Sequence, residues 1–137
     1  MSDLPQVYRA EIPGKVGSGT TITLEGKVNS GTSRFDIELK HNRDCKEVPL
    51  HASFRFSDSC VVRNHHKASG WGSEEREGGM PLSTGNNFII QFKIKFDDIA
   101  ISVNGGHFCN FNHRLPMSSI SCVAVYGGAS VSSIKFG

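Results

Sequence analysis

The most regular stretch of the chain is Phe88-Ile89-Ile90-Gln91-Phe92-Lys93-Ile94-Lys95-Phe96, in which Phe88, Ile90, Phe92, Ile94 and Phe96 alternate with Ile89, Gln91, Lys93 and Lys95. A period of two sends successive side chains to opposite faces, so this segment reads as a half-buried β-strand. The same alternation recurs in Ile22, Leu24 and Val28, in Phe35, Ile37 and Leu39, in Leu50, Phe54 and Phe56, and in Ile99, Ile101 and Val103. Asn104-Gly105 follows the last of these and suits the positive φ angles of a type I′ hairpin turn. No stretch of about ten residues carries a capped i, i+3, i+4, i+7 apolar stripe, so helix content close to nil is expected. Patterned runs separated by clusters such as Gly17-Ser18-Gly19 and Gly127-Gly128 predict an all-β domain of short antiparallel strands, a sandwich or a barrel.

Length leaves room for one domain over residues 1–137, large enough to build a core without staples. Fifteen basic residues against thirteen acidic ones give a net charge of +2, and the six histidines are scattered rather than tracking a groove. Nucleic acid is therefore not the expected partner. Met1-Ser2-Asp3-Leu4-Pro5 lacks the basic and apolar regions of a signal peptide, and no apolar run approaches the ~20 residues of a membrane helix. The expectation is a cytoplasmic chain with no membrane insertion. Cys45, Cys60, Cys109 and Cys122 are even in number but form no CxxC unit and no compact framework, so reduced thiols are expected.

The polar chemistry concentrates around Val48-Pro49-Leu50-His51-Ala52-Ser53-Phe54-Arg55-Phe56. Strand alternation sends Leu50, Ala52, Phe54 and Phe56 to the core and lines up His51, Ser53 and Arg55 on the other face, about 7 Å apart. A turn at Ser57-Asp58-Ser59 returns the chain as Cys60-Val61-Val62-Arg63-Asn64, which as hairpin partner places Asn64 beside that row. With Val62 and Asn64 facing the row, Arg63 takes the inward phase, so either the strand bulges there or Arg63 finds a carboxylate partner. In Trp71-Gly72-Ser73-Glu74-Glu75-Arg76, Glu74 and Arg76 share a face and can hold one another. Trp71, the only tryptophan, stands between Gly70 and Gly72 with no bulky neighbour, as a stacking ring would. Oriented donors and acceptors beside an aromatic plane match a pyranose, whose hydroxyls both donate and accept and whose C–H patch is flat.

V-P-L-H-x-x-x-R-F, Asn64, W-G-x-E-x-R and the later Phe111-Asn112-His113-Arg114-Leu115-Pro116 together resemble the galectin family over nearly the whole chain. The resemblance implies a two-sheet antiparallel β-sandwich of jelly-roll type that binds galactose-containing glycans, without enzymatic activity, cofactor or metal, made in the cytoplasm and exported without a signal peptide. It further implies that His51 and Arg55 grip the galactose 4-hydroxyl, that Asn64 and Glu74 take the 6-hydroxyl, that Trp71 stacks on the C–H face, and that Arg55, Glu74 and Arg76 reach the neighbouring sugar. The family pattern H-x-N-x-R has asparagine where this chain has Ser53. Serine is about an amide shorter, so weakened or shifted lactose binding is expected.

Other readings are weaker on the same residues. His41, Cys45, His65 and His66 match no zinc spacing. Glu74 and Glu75, as neighbours on a strand, point to opposite faces and cannot flank one glycosidic bond. A galectin-like fold whose sugar site has decayed into a protein-interaction module is the alternative, favoured by Ser53. Folding alone does not require His51, Arg55, Asn64, Trp71, Glu74 and Arg76 on one face, which favours a lectin. Cross-linking of glycans by such a chain needs two sites per particle, and a homodimer is the simplest route.

Overall fold

The structure is a computed structural model that describes residues 2–42 and 46–137. Among the described residues eleven strands form two antiparallel sheets: β1 (Gln6–Glu11), β2 (Thr21–Val28), β3 (Arg34–Lys40), β4 (Val48–Arg55), β5 (Cys60–Lys67), β6 (Gly70–Trp71), β7 (Asn87–Ile94), β8 (Asp98–Val103), β9 (Gly106–Asn112), β10 (Cys122–Gly127) and β11 (Ala129–Phe136). The six-stranded sheet runs β1-β10-β3-β4-β5-β6 and the five-stranded sheet β11-β2-β7-β8-β9. Among the described residues the helical content is one short 3-10 turn, Met117–Ser119. The expected antiparallel sandwich is therefore what this sequence forms.

The alternating apolar positions meet between the sheets. Ile22, Leu24, Phe35, Ile37, Leu39, Leu50, Phe54, Phe88, Ile90, Phe92, Ile94, Ile99 and Ile101 are buried in one core. Phe35 lies at its centre, stacked on Phe54 of the neighbouring strand at 4.7 Å between ring centroids and on Phe88 of the opposite sheet at 5.6 Å. Gly26 lies under Phe88; a β-carbon there would collide with the Ser130 carbonyl oxygen and with the Phe88 ring. The β8–β9 turn has φ of 50° at Asn104 and 83° at Gly105, the type I′ geometry expected of that dipeptide.

Phe96 departs from the sequence pattern. The strand stops at Ile94, Lys95 N–H donates to the Asp98 carbonyl to close the β7–β8 turn, and Phe96 is left 79% exposed at its tip. Alternation continues one step beyond the strand because turn formation, not hydrophobicity, sets where the ladder ends. Phe56 likewise lies just past β4, in the turn, and is only partly buried.

Two phenylalanines thus separate by context. Phe54→Ala should destabilise the domain by about 3–5 kcal/mol in urea unfolding, whereas Phe96→Ala should stay within about 0.5 kcal/mol of the parent. Equal effects would contradict the assignment of the core.

Candidate functional site

The site sits on the outer face of the six-stranded sheet, where β3, β4, β5 and β6 run side by side. The register pairs Asp36 with Ser53, Glu38 with His51, and His51 in turn with Asn64. At the start of β4 the β4–β5 register slips by one residue, so Pro49 and Leu50 oppose His65 alone. A bulge is where a central strand can accept a proline, which has no N–H to give the ladder. Beyond it, His51, Ser53 and Arg55 share the outer face and Leu50, Ala52 and Phe54 the inner one, as alternation requires.

A shallow cleft of about 440 Å³ opens there, lined by Asp3, Arg34, His51, Arg55, Val62, Asn64, Trp71, Gly72 and Glu74. Five of the seven residues singled out from the sequence therefore meet at one cavity. Ser53 and Arg76 do not line it. Ser53 is fully buried beneath it, where its oxygen accepts a hydrogen bond from Arg55 Nε at 3.1 Å. Arg76 stands outside, donating to Glu74 Oε1 from Nε at 3.0 Å and Nη2 at 2.8 Å. His51 is also buried, so the outer-face row forms the floor of the cleft, and only Arg55 reaches out of it.

Sequence reasoning missed what lies under that floor. Asp36 and Glu38 are the polar partners of Phe35, Ile37 and Leu39 in β3, and both are fully buried on the outer face. Buried carboxylates need cationic or donor partners, and they have them. Arg34 donates to Asp36 from Nε at 3.0 Å and Nη2 at 2.7 Å, Ser2 Oγ donates to it at 2.7 Å, and His51 Nδ1 lies 2.8 Å from Glu38 Oε2. Burial alone would push the Asp36 carboxyl up, but Arg34, Ser53, His51 and Ser2 hold it below its ordinary value. Glu38 is likewise held low, with burial opposed by its bond to His51. An ionised Glu38 only accepts, so His51 Nδ1 carries the hydrogen and the ring is fixed in orientation with Nε2 toward the cleft and Asp36. Arg34 and Asp3, joined at 2.8 Å, close one end of the cleft.

At the other end, Trp71 is 48% exposed and meets the rings of His51 and His66 edge-on at 4.8 and 4.9 Å. The glycines beside it have definite tasks. Gly70 has φ of 112°, which a side chain would strain, and a β-carbon on Gly72 would overlap the His65 ring. Asn64 donates from Nδ2 to the Gly72 carbonyl at 2.9 Å. Arg63 resolves the choice left open by the sequence: the strand stays in register and the guanidinium donates to Glu77 Oε1 at 3.2 Å, to the Glu77 carbonyl at 2.7 Å and to the Val61 carbonyl at 2.9 Å, under the Phe108 ring.

Glu74 and Glu75 are held by different arginines, Arg76 and Arg114. Among the described residues no group of three His, Cys, Asp or Glu is placed to hold a metal, and Cys60, Cys109 and Cys122 are free thiols. Cys45, the fourth cysteine and part of the zinc reading, lies outside the described residues. Among them, too, no helix is long and apolar enough to cross a membrane.

The chain is similar in sequence and fold to known proteins. The family model described as "Galactoside-binding lectin" matches residues 7–136. The 32 kDa beta-galactoside-binding lectin of Caenorhabditis elegans is 32% identical over 137 residues, taking in 97% of this chain and 48% of that protein. The chain thus spans about half the length of the first curated relatives it matches. Human Galectin-2 is 33% identical over 117 residues, 85% of this chain and 87% of that one. The crystal structure of Caenorhabditis elegans galectin LEC-6 is similar with a TM-score of 0.86 at 29% identity, over 98% of this chain and 93% of that one. Sheep Galectin-11 shares the fold at the same TM-score of 0.86 and 21% identity, over 98% of this chain and 100% of that one. With a family match that runs from the first strand to the last, on the fold and the cleft just described, this chain belongs to the galactoside-binding lectins, the galectins.

Proposed function

We propose that the chain binds β-galactosides in the cleft over β4, β5 and β6 and performs no chemistry on them. The observation that carries this reading is the juxtaposition, at one shallow cleft, of a half-exposed indole with fixed donors and acceptors of both kinds. Galactose differs from glucose in its axial 4-hydroxyl. His51, held by Glu38, and Arg55, held through Ser53, are the pair that grips it. Asn64 and Glu74 take the 6-hydroxyl, and Trp71 covers the C–H patch those groups leave apolar. Arg55, Glu74 and Arg76 extend toward the next sugar. A broad groove on the five-stranded sheet is lined by Glu25, Gly26, Lys27, Asn87, Phe88, Ile89, Ser130, Val131 and Ser132. It offers no exposed aromatic plane and no guanidinium, so it does not compete for this role.

Ser53 lies under Arg55 and does not line the cleft, which supports weak binding of plain lactose: a hydrogen bond supplied by an asparagine is replaced by an internal one. A typical net hydrogen bond is worth about 0.5–1.5 kcal/mol. Such a loss in a shallow site leaves lactose near the millimolar range.

Three outcomes follow from this reading. Lactose should perturb the fluorescence of Trp71, and Trp71→Ala should abolish binding in a protein whose circular dichroism is unchanged; retained affinity would remove Trp71 from the site. Ser53→Asn should tighten lactose by about three- to tenfold in calorimetry, and equal affinities would show that the serine is a neutral replacement. Cross-linking of glycans by this domain requires pairing of two copies, for which β1 offers an edge strand with an exposed Val7. Light scattering at high concentration should find a dimer, and a strict monomer would contradict that part of the proposal.

A further inference from the structure

The Phe111-Asn112-His113-Arg114-Leu115-Pro116 motif has no role in the cleft as described, and Arg114 does not line it. Arg114 follows β9, an edge strand of the opposite sheet, yet its guanidinium reaches across the end of the sandwich to the back of the cleft. Its Nη1 donates to Asn64 Oδ1 at 3.0 Å and to the Ser73 carbonyl at 2.7 Å, and lies 3.1 Å from His65 Nδ1. Its Nη2 donates to Glu75 Oε2 at 2.7 Å. The plane is backed by Phe111, with the guanidinium carbon 4.7 Å from the ring centroid.

The consequences for Asn64 are specific. An amide side chain can present either its oxygen or its nitrogen, and Arg114 together with the His65 N–H removes that choice. Asn64 Oδ1 accepts from Arg114 and from the His65 N–H at 2.8 Å, so Nδ2 must face the Gly72 carbonyl and the cleft. The same guanidinium clasps Ser73 and Glu75, the residues on either side of Glu74, while Glu75 and Arg63 exchange backbone hydrogen bonds at 2.8 and 2.9 Å. Burial, then the positive charges of Arg114, Lys67 and His66, keep His65 below its ordinary pKa, so its Nδ1 is available as an acceptor for Arg114.

We infer that Arg114 is a positioning residue for the 6-hydroxyl end of the sugar cleft: it fixes the Asn64 amide with Nδ2 toward the ligand and holds the loop that carries Glu74. This rests on the galactoside reading above for what the ligand is, but not for what Arg114 does to Asn64. Lysine keeps the charge and can pair with Glu75, yet it lacks the planar fork that engages Asn64, Ser73 and Glu75 together.

The test compares wild type, Arg114→Lys and Arg114→Gln, each checked for folding by thermal melting, with lactose and with lactose deoxygenated at the galactose 6-position. Both variants should bind lactose at least tenfold more weakly than wild type, and the 6-deoxy sugar with a difference of less than threefold. An equal penalty on both sugars, or lactose binding unchanged in both variants, overturns the inference and leaves Arg114 a stabilising residue only. A second readout needs no ligand: the Asn64 side-chain amide signals in nitrogen-15 NMR, assigned with Asn64→Ala, should shift and broaden in Arg114→Lys while those of Asn86 and Asn110 do not. Unchanged Asn64 signals also overturn it. Wild type that fails to bind lactose, with Asn64 responding as stated, would sink the galactoside reading and leave the positioning role standing.

Discussion

Two carboxylates buried on an outer sheet face, Asp36 and Glu38, set the terms for everything built above them. Neither is accessible to water, and an ionised carboxylate without partners in such a place would cost several kcal/mol. The chain meets that demand with Arg34, His51 and Ser2, and in doing so fixes the donors that form the cleft floor. His51 cannot turn its ring without giving up its 2.8 Å contact with Glu38. Preorganisation of this kind matters most for a ligand that is polar, small and shallowly held, because ordering loose side chains on binding would consume the little affinity available.

The rest of the fold supplies rigidity for that face. The stack of Phe54, Phe35 and Phe88 joins the strand under the cleft, β4, to its neighbour β3 and to the opposite sheet. The cleft's far wall has no long strand to support it, since β6 is only Gly70–Trp71. It is held instead by polar contacts, through Asn64 to Gly72, Arg63 to Glu75, and Arg114 to Ser73 and Glu75. A central strand row fixed by burial and a loop fixed by hydrogen bonds together place Trp71 at a set height over His51.

Much of this was legible in the sequence because local pattern and tertiary face coincide. Alternation in β2, β3, β4, β7 and β8 gave the inward residues correctly, and Asn104-Gly105 gave its turn. His51, Arg55, Asn64, Trp71 and Glu74 could be gathered because a hairpin and one short loop connect them. What escaped required long-range register. Nothing local marks Asp36 and Glu38 as more than the polar phase of β3; only their pairing opposite Ser53 and His51 makes them the support of the site. Asp3 enters the cleft because the segment before β1 lies against Arg34 and Asp36 of β3, which no periodicity reports. Alternation places Ser53 in the outer-face row but does not report that it is buried there and accepts a hydrogen bond from Arg55 Nε. Phe96 shows the converse failure, an apolar pattern that outran its strand.

Whether β-galactosides bind in this cleft is examined most directly by a nitrogen-15 NMR titration of the chain with lactose. Binding in the cleft predicts saturable shifts clustered at His51, Arg55, Val62, Asn64, Trp71, Gly72 and Glu74, with the strands β2, β7 and β11 silent. Shifts centred instead on Ile89, Ser130 and Val131 of the five-stranded sheet, or none at the cleft with lactose in large excess, would contradict it.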